Sequence, residues 1–461
     1  MKEPRPLFGR KPLQAGMLAG WAIGLLAATI PVGSSAPPVT SHLQSGFCPP
    51  LPTSITSQLA NPPLDFCGID SQPSMDLYSW LTFVAMNWPA NVSACGPDTT
   101  KSILSGQGPV VWETYLEDSE VFVAPGLMPV QWPCPSTGNT TERLSLLPAA
   151  VQAKAKQYPN VTKFLHFVSK SDPVKLPAIE EAVGGPLTDQ NGRFVRYEIR
   201  MNQDEYNYIK RSSLWSQAGQ AAFQGPVNFP SSEYKTGDIY HGVFGSMEIK
   251  AAWKVLNALE KASKRFYTRE AIIYNTEDPQ SVDPTPVTVG LVGLHIIHKT
   301  KAQPQWLWST FEHEDNAPTA GRAVMGKYSF NNPACPFAKC PPNSQTVFPP
   351  YTELNKQGQP VAKPVQVLRM TPLESGAAQL NPVFKKLLGS SVWSHYFLVG
   401  TQWRGEIPTP QPQPLANTVL ETYIQSFSSC IGCHSGATLA ACSNGKTPAS
   451  ADFSFMLSEA K

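Results

Sequence analysis

Residues 286–297 read Pro-Val-Thr-Val-Gly-Leu-Val-Gly-Leu-His-Ile-Ile, a run dominated by valine, leucine and isoleucine. A short apolar run of this composition is typical of a buried β-strand. Residues 306–311, Trp-Leu-Trp-Ser-Thr-Phe, are expected to continue the same sheet. The sequence therefore predicts a buried β-sheet in this part of the chain.

Apolar residues recur at helical spacing in segments that precede and follow these two strands in the sequence. In residues 75–88 the apolar side chains recur at intervals of three and four, which predicts a helix with one buried face that ends before Pro89. Asn191-Gly192 predicts a hairpin turn that leads into a strand at 194–197. Further predicted elements are a strand at 110–123 and helices at 201–210, 246–266, 379–399 and from Asn417 to Cys430.

These patterns together predict an α+β protein. We expect a large, mixed, loop-rich N-terminal body with a short α-helical C-terminal segment packed against it. Within this organisation, residues 36–70 are an extended lead-in rich in proline and serine, 71–405 are the body, 406–416 are a proline-rich linker, and 417–461 are the C-terminal segment.

The N-terminus has the order of a secretory signal. Lys2, Arg5, Arg10 and Lys11 precede an apolar stretch at 17–30, and small residues follow. We expect residues 1–35 to be a signal peptide that is cleaved near Ser35. The alternative is an uncleaved membrane anchor, because the apolar stretch approaches the ~20 residues that span a bilayer.

The overall composition agrees with an exported protein and argues against a nucleic-acid partner. Only 15% of the residues are charged, and the 461 residues include 46 prolines, whereas roughly 25% of the residues in an average soluble domain are charged. The formal net charge is +2, too small to form an electrostatic footprint for nucleic acid.

The most specific chemical signal is Cys430-Ile431-Gly432-Cys433-His434. Two thiols at this spacing can form thioethers to the two vinyl groups of one haem, and the adjacent imidazole then binds the iron. We therefore predict a single haem c, held by Cys430 and Cys433, with His434 as the proximal ligand. Haem c is attached outside the cytoplasm, so the motif and the signal peptide both predict a periplasmic protein.

The sixth iron ligand is left open by the sequence. Only 27 residues follow His434, too few for a small cytochrome fold, so the body is expected to supply much of the pocket. Met456, Met370, His298 and His313 are the candidates, and a vacant sixth position is an alternative. Met325 and Met247 are further possible sixth ligands, supported only by their residue type.

A second polar cluster lies at 295–315. Histidine and carboxylate side chains can bind a metal, but two histidines three residues apart on one strand face opposite sides of the sheet. Structural roles are therefore the main interpretation. The residues concerned are His295, His298, Glu312, His313, Glu314 and Asp315, with Trp306, Trp308 and Trp403 as aromatic side chains that could flank a porphyrin.

Seven cysteines remain outside the haem motif. An oxidising compartment favours disulfides. Proximity along the chain suggests three pairs and one leftover thiol, although sequence does not fix the connectivity. The suggested pairs are Cys48 with Cys67, Cys95 with Cys134, and Cys335 with Cys340, leaving Cys442.

Four stretches resemble large, secreted, single-haem bacterial proteins of the cytochrome c family. They are Tyr-Ser-Trp-Leu-Thr-Phe-Val-Ala at 78–85, Gly-Leu-His-Ile-Ile-His-Lys-Thr at 293–300, Trp-Leu-Trp-Ser-Thr-Phe-Glu-His at 306–313, and Gly-Thr-Gln-Trp at 400–403, which runs on towards the haem motif. The resemblance implies an exported bacterial haem protein and implies no substrate.

Three functions remain open. The leading one is one-electron transfer with a redox partner protein, and the second is a peroxidase- or oxygenase-like haem enzyme with its substrate site in the body. The third is thiol-disulfide exchange by Cys430 and Cys433. It is disfavoured because Cys430 is expected to follow a helix instead of beginning one, and because the 27 residues after His434 leave no room for the rest of a thioredoxin-like sheet. Oligomeric state is not predicted.

Overall fold

A computed structural model describes residues 50–66, 70–106, 108–132, 140–166, 185–234, 242–274, 282–283, 285–321, 326–346, 353–404, 412–440 and 448–461. The predicted signal peptide, most of the predicted linker, and Cys48, Cys67, Cys134, Met325 and Cys442 lie outside these residues. The described chain is an α+β protein, as predicted.

Eight strands form the main sheet. They are β1 (Leu116–Glu117), β2 (Lys163–Leu165), β3 (Arg196–Met201), β4 (Met247–Val255), β5 (Thr268–Ile273), β6 (Val287–His298), β7 (Leu307–His313) and β8 (Tyr396–Gln402). Their order across the sheet is β8-β7-β6-β4-β3-β1, with β5 also paired to β6 and β2 to β5. Every pairing is antiparallel except β2 with β5.

The described helices are α1 (Gln72–Met86), α2 (Asp118–Val121), α3 (Thr141–Ser145), α4 (Ala149–Gln157), α5 (Gln203–Arg211), α6 (Gln217–Ala222), α7 (Ala258–Ser263), α8 (Ser375–Leu388) and α9 (Cys430–His434). Short 3-10 helices lie at Ser57–Ala60, Ile103–Ser105, Val111–Thr114, Val392–His395 and Phe455–Glu459. Two small ribbons pair Ala90–Asn91 with Gly96–Pro97, and Glu233–Tyr234 with Gly242–Val243. Within the described residues, no helix has the length and apolar character needed to cross a membrane.

The strand at 286–297, its partner at 306–311, and the helices at 75–88 and 201–210 are confirmed. Strand β6 pairs with β7 from Gly293 opposite Glu312 to His298 opposite Leu307. Helix α1 is buried on all sides from Ser74 to Met86, so the prediction of a single buried face is wrong. Trp80 on this helix stacks on Phe384 of α8 with the ring centroids 4.6 Å apart. The central sheet is therefore covered by α1 and α8.

Three predicted elements are wrong. Residues 246–266, predicted as one helix, form strand β4 followed by the short helix α7. The predicted strand at 110–123 is a 3-10 turn, the two-residue strand β1 and the short helix α2. The predicted helix at 379–399 ends at Leu388, and strand β8 begins at Tyr396.

The helix predicted to begin at Asn417 is also wrong, because residues 418–427 form consecutive turns. Asn417 instead donates from its side-chain amide to the carbonyl of Phe311 at 2.9 Å. The amide of Thr418 donates to Glu312 at 2.6 Å. These bonds to β7 hold the backbone in turns and attach the C-terminal segment to the sheet.

A glycine in β6 makes room for this attachment. A Cβ atom on Gly293 would lie 2.5 Å from the side chain of Val419. The segment after residue 417 can therefore pack directly against the sheet, and the described residues from 50 onwards form one compact unit.

A buried ionic network connects strands β1, β2 and β3. Arg200 on β3, only 2% exposed, donates to Glu117 at 2.6 Å and to Glu198 at 2.9 Å. Lys163 on β2 donates to Glu198 at 2.6 Å. Burial raises the pKa of Glu198, but the charges of Arg200 and Lys163 outweigh it and lower the pKa to about 2. The carboxylate is therefore ionised in the folded protein.

The disulfide between Cys335 and Cys340 is confirmed. Cys95 is also disulfide-bonded, while its suggested partner Cys134 lies outside the described residues.

Candidate haem-attachment site

The Cys-x-x-Cys-His motif forms a helix of its own, α9. Ser429 caps it by accepting a hydrogen bond from the amide of Gly432 at 3.1 Å. Gln402, at the end of β8, accepts from both the Ser429 hydroxyl at 3.1 Å and the Ile431 amide at 2.8 Å. Gln402 therefore fixes the start of the motif relative to the sheet.

The motif is anchored by Ile431 and exposes the second of its two cysteines. Ile431 is buried in an apolar cluster with Ile297, Trp308 and Met456. Cys433 is exposed and Cys430 is half-buried, and both carry thiols. The two cysteines therefore lie one helical turn apart, with Cys433 facing solvent and Cys430 at the edge of the apolar cluster.

The imidazole of His434 has a defined tautomer. Its Nδ1 lies 2.8 Å from the carbonyl oxygen of Phe453. A carbonyl can only accept, so Nδ1 carries the hydrogen and the lone pair of the neutral ring lies on Nε2. This is the arrangement in which a histidine is oriented as a metal ligand through a hydrogen bond from its other nitrogen.

Two aromatic rings enclose the same imidazole. Trp308 on β7 lies 4.4 Å from the His434 ring, and Phe455 lies 4.9 Å from it, measured between ring centroids. Trp308 is buried and donates its indole N–H to Gln305 at 2.8 Å. The sheet and the C-terminal tail therefore both contribute to the surroundings of the predicted proximal ligand.

The loop that supplies the Phe453 carbonyl is strained. Asp452 and Phe453 have φ angles of 53° and 70°, a region that a bulky side chain rarely adopts. Asp452 is held by an ion pair with Lys299 at 2.5 Å and by the amide of Phe229 at 2.8 Å. These contacts offset the backbone strain and keep the carbonyl in place.

The two methionine candidates for the sixth ligand lie in different surroundings. Met456 is buried in the same apolar cluster as Ile431 and Trp308. Met370 is 55% exposed, and its amide donates to Gln425 at 2.8 Å. Burial beside the motif residues favours Met456 of these two.

Both histidine candidates use both of their nitrogens elsewhere. His298 donates from Nε2 to the Phe244 carbonyl at 2.5 Å and accepts at Nδ1 from the Tyr78 hydroxyl. His313 accepts at Nδ1 from the Asp315 amide at 3.1 Å, and its Nε2 faces the Arg265 carbonyl at 3.2 Å. These contacts favour structural roles for both rings.

The pKa of His298 gives a testable pH dependence. Burial lowers the pKa to about 4, whereas an unfolded histidine has a pKa near 6.5. The unfolded chain therefore binds a proton between these values while the folded chain does not, so this contribution to stability is present above pH 6.5 and is lost as the pH falls towards 4. We expect the His298→Asn variant, which cannot titrate, to be less stable than wild type at pH 7.

We expect that deficit to shrink by up to about 3 kcal/mol between pH 7 and pH 4, since one pKa unit corresponds to about 1.4 kcal/mol. Urea unfolding at a series of pH values measures it. A deficit that stays constant over this range would contradict the assignment of a buried neutral ring.

The remaining members of the 295–315 cluster have separate structural partners. His295 lies 3.4 Å from Glu421, Glu312 binds Arg369 at 2.5 Å, and Glu314 binds His395 at 2.8 Å. Among the described residues, no group of three or more His, Cys, Asp or Glu side chains is arranged to hold a metal ion.

The other two tryptophans lie apart from His434. Trp306 packs edge-on against Phe229 with the ring centroids 5.8 Å apart. Trp403 packs in a cluster with Met75 and Tyr78 and donates to Gln72 at 2.9 Å. Of the three tryptophans singled out in the sequence, Trp308 is the one in ring contact with the predicted ligand.

Sequence reasoning did not identify Gln402, the Phe453 carbonyl or Phe455 as parts of the site. Gln402 lies in the segment 400–403 that carries part of the family resemblance, and this was the one available signal. Comparisons with protein-family models, with curated proteins and with solved structures found no match.

Proposed function

We propose that this protein is an exported c-type haem protein that transfers single electrons. The observation that carries the proposal is the Nδ1–H bond from His434 to Phe453, which places the lone pair of the neutral ring on Nε2 in the residue that directly follows the Cys-x-x-Cys pair. Cys430 and Cys433 would form the thioethers, and His434 would be the proximal ligand.

Bound haem would supply a one-electron iron couple. The chain's own residues would hold the motif and orient the ligand. Ser429 and Gln402 hold the motif helix against the sheet. Trp308 and Phe455 restrict the orientation of the imidazole, while the Phe453 carbonyl increases its basicity through the hydrogen bond.

Electron transfer is favoured over a haem enzyme by the exposure of the motif. Cys433 is exposed and His434 is only half-buried, so a group tethered there would present an edge to a partner protein. A buried substrate chamber is not required for such an exchange. Met456, which is buried in the apolar cluster around Ile431, is the residue we propose to test first as the sixth ligand.

Thiol-disulfide exchange gains one argument from the structure. Cys430 begins a helix instead of following one, so the first of the two reasons for disfavouring exchange is wrong. A helix N-terminus stabilises a thiolate. This function is therefore the second candidate, and the test below distinguishes it.

The test is spectroscopic and uses mature protein from a bacterial host that attaches haem to exported proteins. We expect a covalently bound haem that is reduced and reoxidised reversibly by one electron, with a six-coordinate spectrum. A five-coordinate spectrum with peroxide-dependent oxidation of dyes would overturn electron transfer in favour of the enzyme. A haem-free protein that reduces disulfides would overturn both in favour of exchange.

A further inference from the structure

Two glutamates lie together in the interior near the loop that holds His434. Glu205 on α5 is fully buried, and Glu248 on β4 is 5% exposed. Their carboxyl groups are within hydrogen-bonding reach of each other. Neither oxygen of Glu205, nor Oε1 of Glu248, has a hydrogen-bond donor among the described residues. A proton held between the two carboxyls satisfies these oxygens, as it does in other carboxyl pairs.

The charged groups that face this pair are Asp452, Lys299 and Lys250. Lys299 is already neutralised by its ion pair with Asp452. Burial, followed by the charge of Glu248, raises the pKa of Glu205 well above its ordinary value. Burial also raises the pKa of Glu248, although a bond from Ser454 opposes the rise. Both shifts favour a proton held between the two carboxyls.

A short path of contacts connects the pair to the haem-attachment site. Asp452, whose charge acts on both carboxyls, and Ser454, whose hydroxyl faces Glu248, lie on either side of Phe453. The Phe453 carbonyl accepts the Nδ1–H of His434. The carboxyl pair and the predicted proximal ligand thus contact adjacent residues of the same strained loop.

We propose that the Glu205–Glu248 pair is a proton-binding site that takes up one proton when the protein accepts one electron at residues 430–434. This inference rests on the proposed function. The electron comes from a one-electron donor, the proton comes from solvent, and the proton converts the remaining carboxylate of the pair to a neutral acid. Added negative charge favours proton binding at nearby groups, and by linkage proton binding favours reduction equally.

The experiment is a potentiometric titration of the haem-loaded, mature protein at a series of pH values. We expect the midpoint potential to fall as the pH rises, approaching about 59 mV for each tenfold change in proton concentration in a one-electron couple. In the Glu205→Gln/Glu248→Gln double variant we expect this slope to be lost, because neither amide titrates. The control Glu270→Gln removes an exposed carboxylate and should keep the wild-type slope.

A second readout does not depend on the variants folding. The reduced-minus-oxidised infrared spectrum of wild type should show a new protonated-carboxyl band that shifts when glutamate is labelled with carbon-13 at its side-chain carboxyl. Attached haem with a pH-independent potential and no such band would overturn the proton site and leave the proposed function intact. Absence of attached haem would overturn the proposed function itself.

Discussion

Replacing both Cys430 and Cys433 with alanine is expected to yield a folded protein that carries no covalently bound haem. The two sulfurs are the only predicted tether. Cys433 is exposed, and Cys430 is half-buried and packs against the apolar cluster around Ile431. The hydrogen bond from Ile431 to Gln402 does not involve either sulfur. We therefore expect the unfolding free energy of the double variant to be within about 1 kcal/mol of that of haem-free wild type. Haem staining after denaturing electrophoresis and urea unfolding measure the two effects.

The matched control is the Cys335→Ala/Cys340→Ala variant, which removes the confirmed disulfide instead. It should retain haem after denaturation. Haem that survives denaturation in the Cys430→Ala/Cys433→Ala variant would show that the attachment site is elsewhere.

Replacing Arg200 with methionine is expected to lower the free energy of unfolding by about 3–5 kcal/mol. The guanidinium is buried and bonds to Glu117 and Glu198 at 2.6 and 2.9 Å. Without it, Glu117 retains Arg143 and Glu198 retains Lys163, but each loses one of its two cationic partners. Removing one partner from a buried ionic group costs much more than losing a surface pair. Urea unfolding monitored by tryptophan fluorescence measures the loss.

An exposed ion pair provides the control. Lys101 lies 2.8 Å from Asp98, and the lysine side chain is 56% exposed. Lys101→Met should therefore change stability by less than about 1 kcal/mol. Equal losses in the two variants would contradict the account of the buried network.

The sequence correctly predicted the strands and helices whose local residue pattern is typical of the structure that they form. Strand β6 is a dense run of β-branched and leucine residues, and the apolar residues of helix α1 recur at spacings of three and four. Strand β4 was predicted as a helix because Ile249, Trp253 and Leu256 recur at helical spacing. The alternation of a strand is also present, with Met247, Ile249 and Ala251 on one face and Glu248, Lys250 and Lys254 on the other. Pairing with β3 and β6, which no local pattern reveals, decides between the two.

The turns after Asn417 show a second limit. Leu420, Ile424 and Phe427 follow helical spacing, yet Phe427 is 67% exposed. The backbone there is set by hydrogen bonds from Asn417 and Thr418 to strand β7, more than 100 residues earlier in the chain. Long-range bonds of this kind leave no local signal.

In the candidate site, too, some residues could be recognised from the local sequence and others could not. The motif at 430–434 is contiguous, so its residue types and spacing could be recognised directly. Gln402, Phe453 and the Glu205–Glu248 pair reach the site only through tertiary contacts. None of them belongs to a sequence pattern that points to this chemistry.

The central claim is that Cys430 and Cys433 carry one haem, with His434 bound to its iron. The most direct measurement is the intact mass of the mature protein after denaturation, combined with its pyridine haemochrome spectrum. The account predicts the mass of the polypeptide plus one haem and the spectrum of a haem joined through two thioethers. A mass equal to that of the polypeptide alone, from a host that attaches haem to a known cytochrome in parallel, would contradict it.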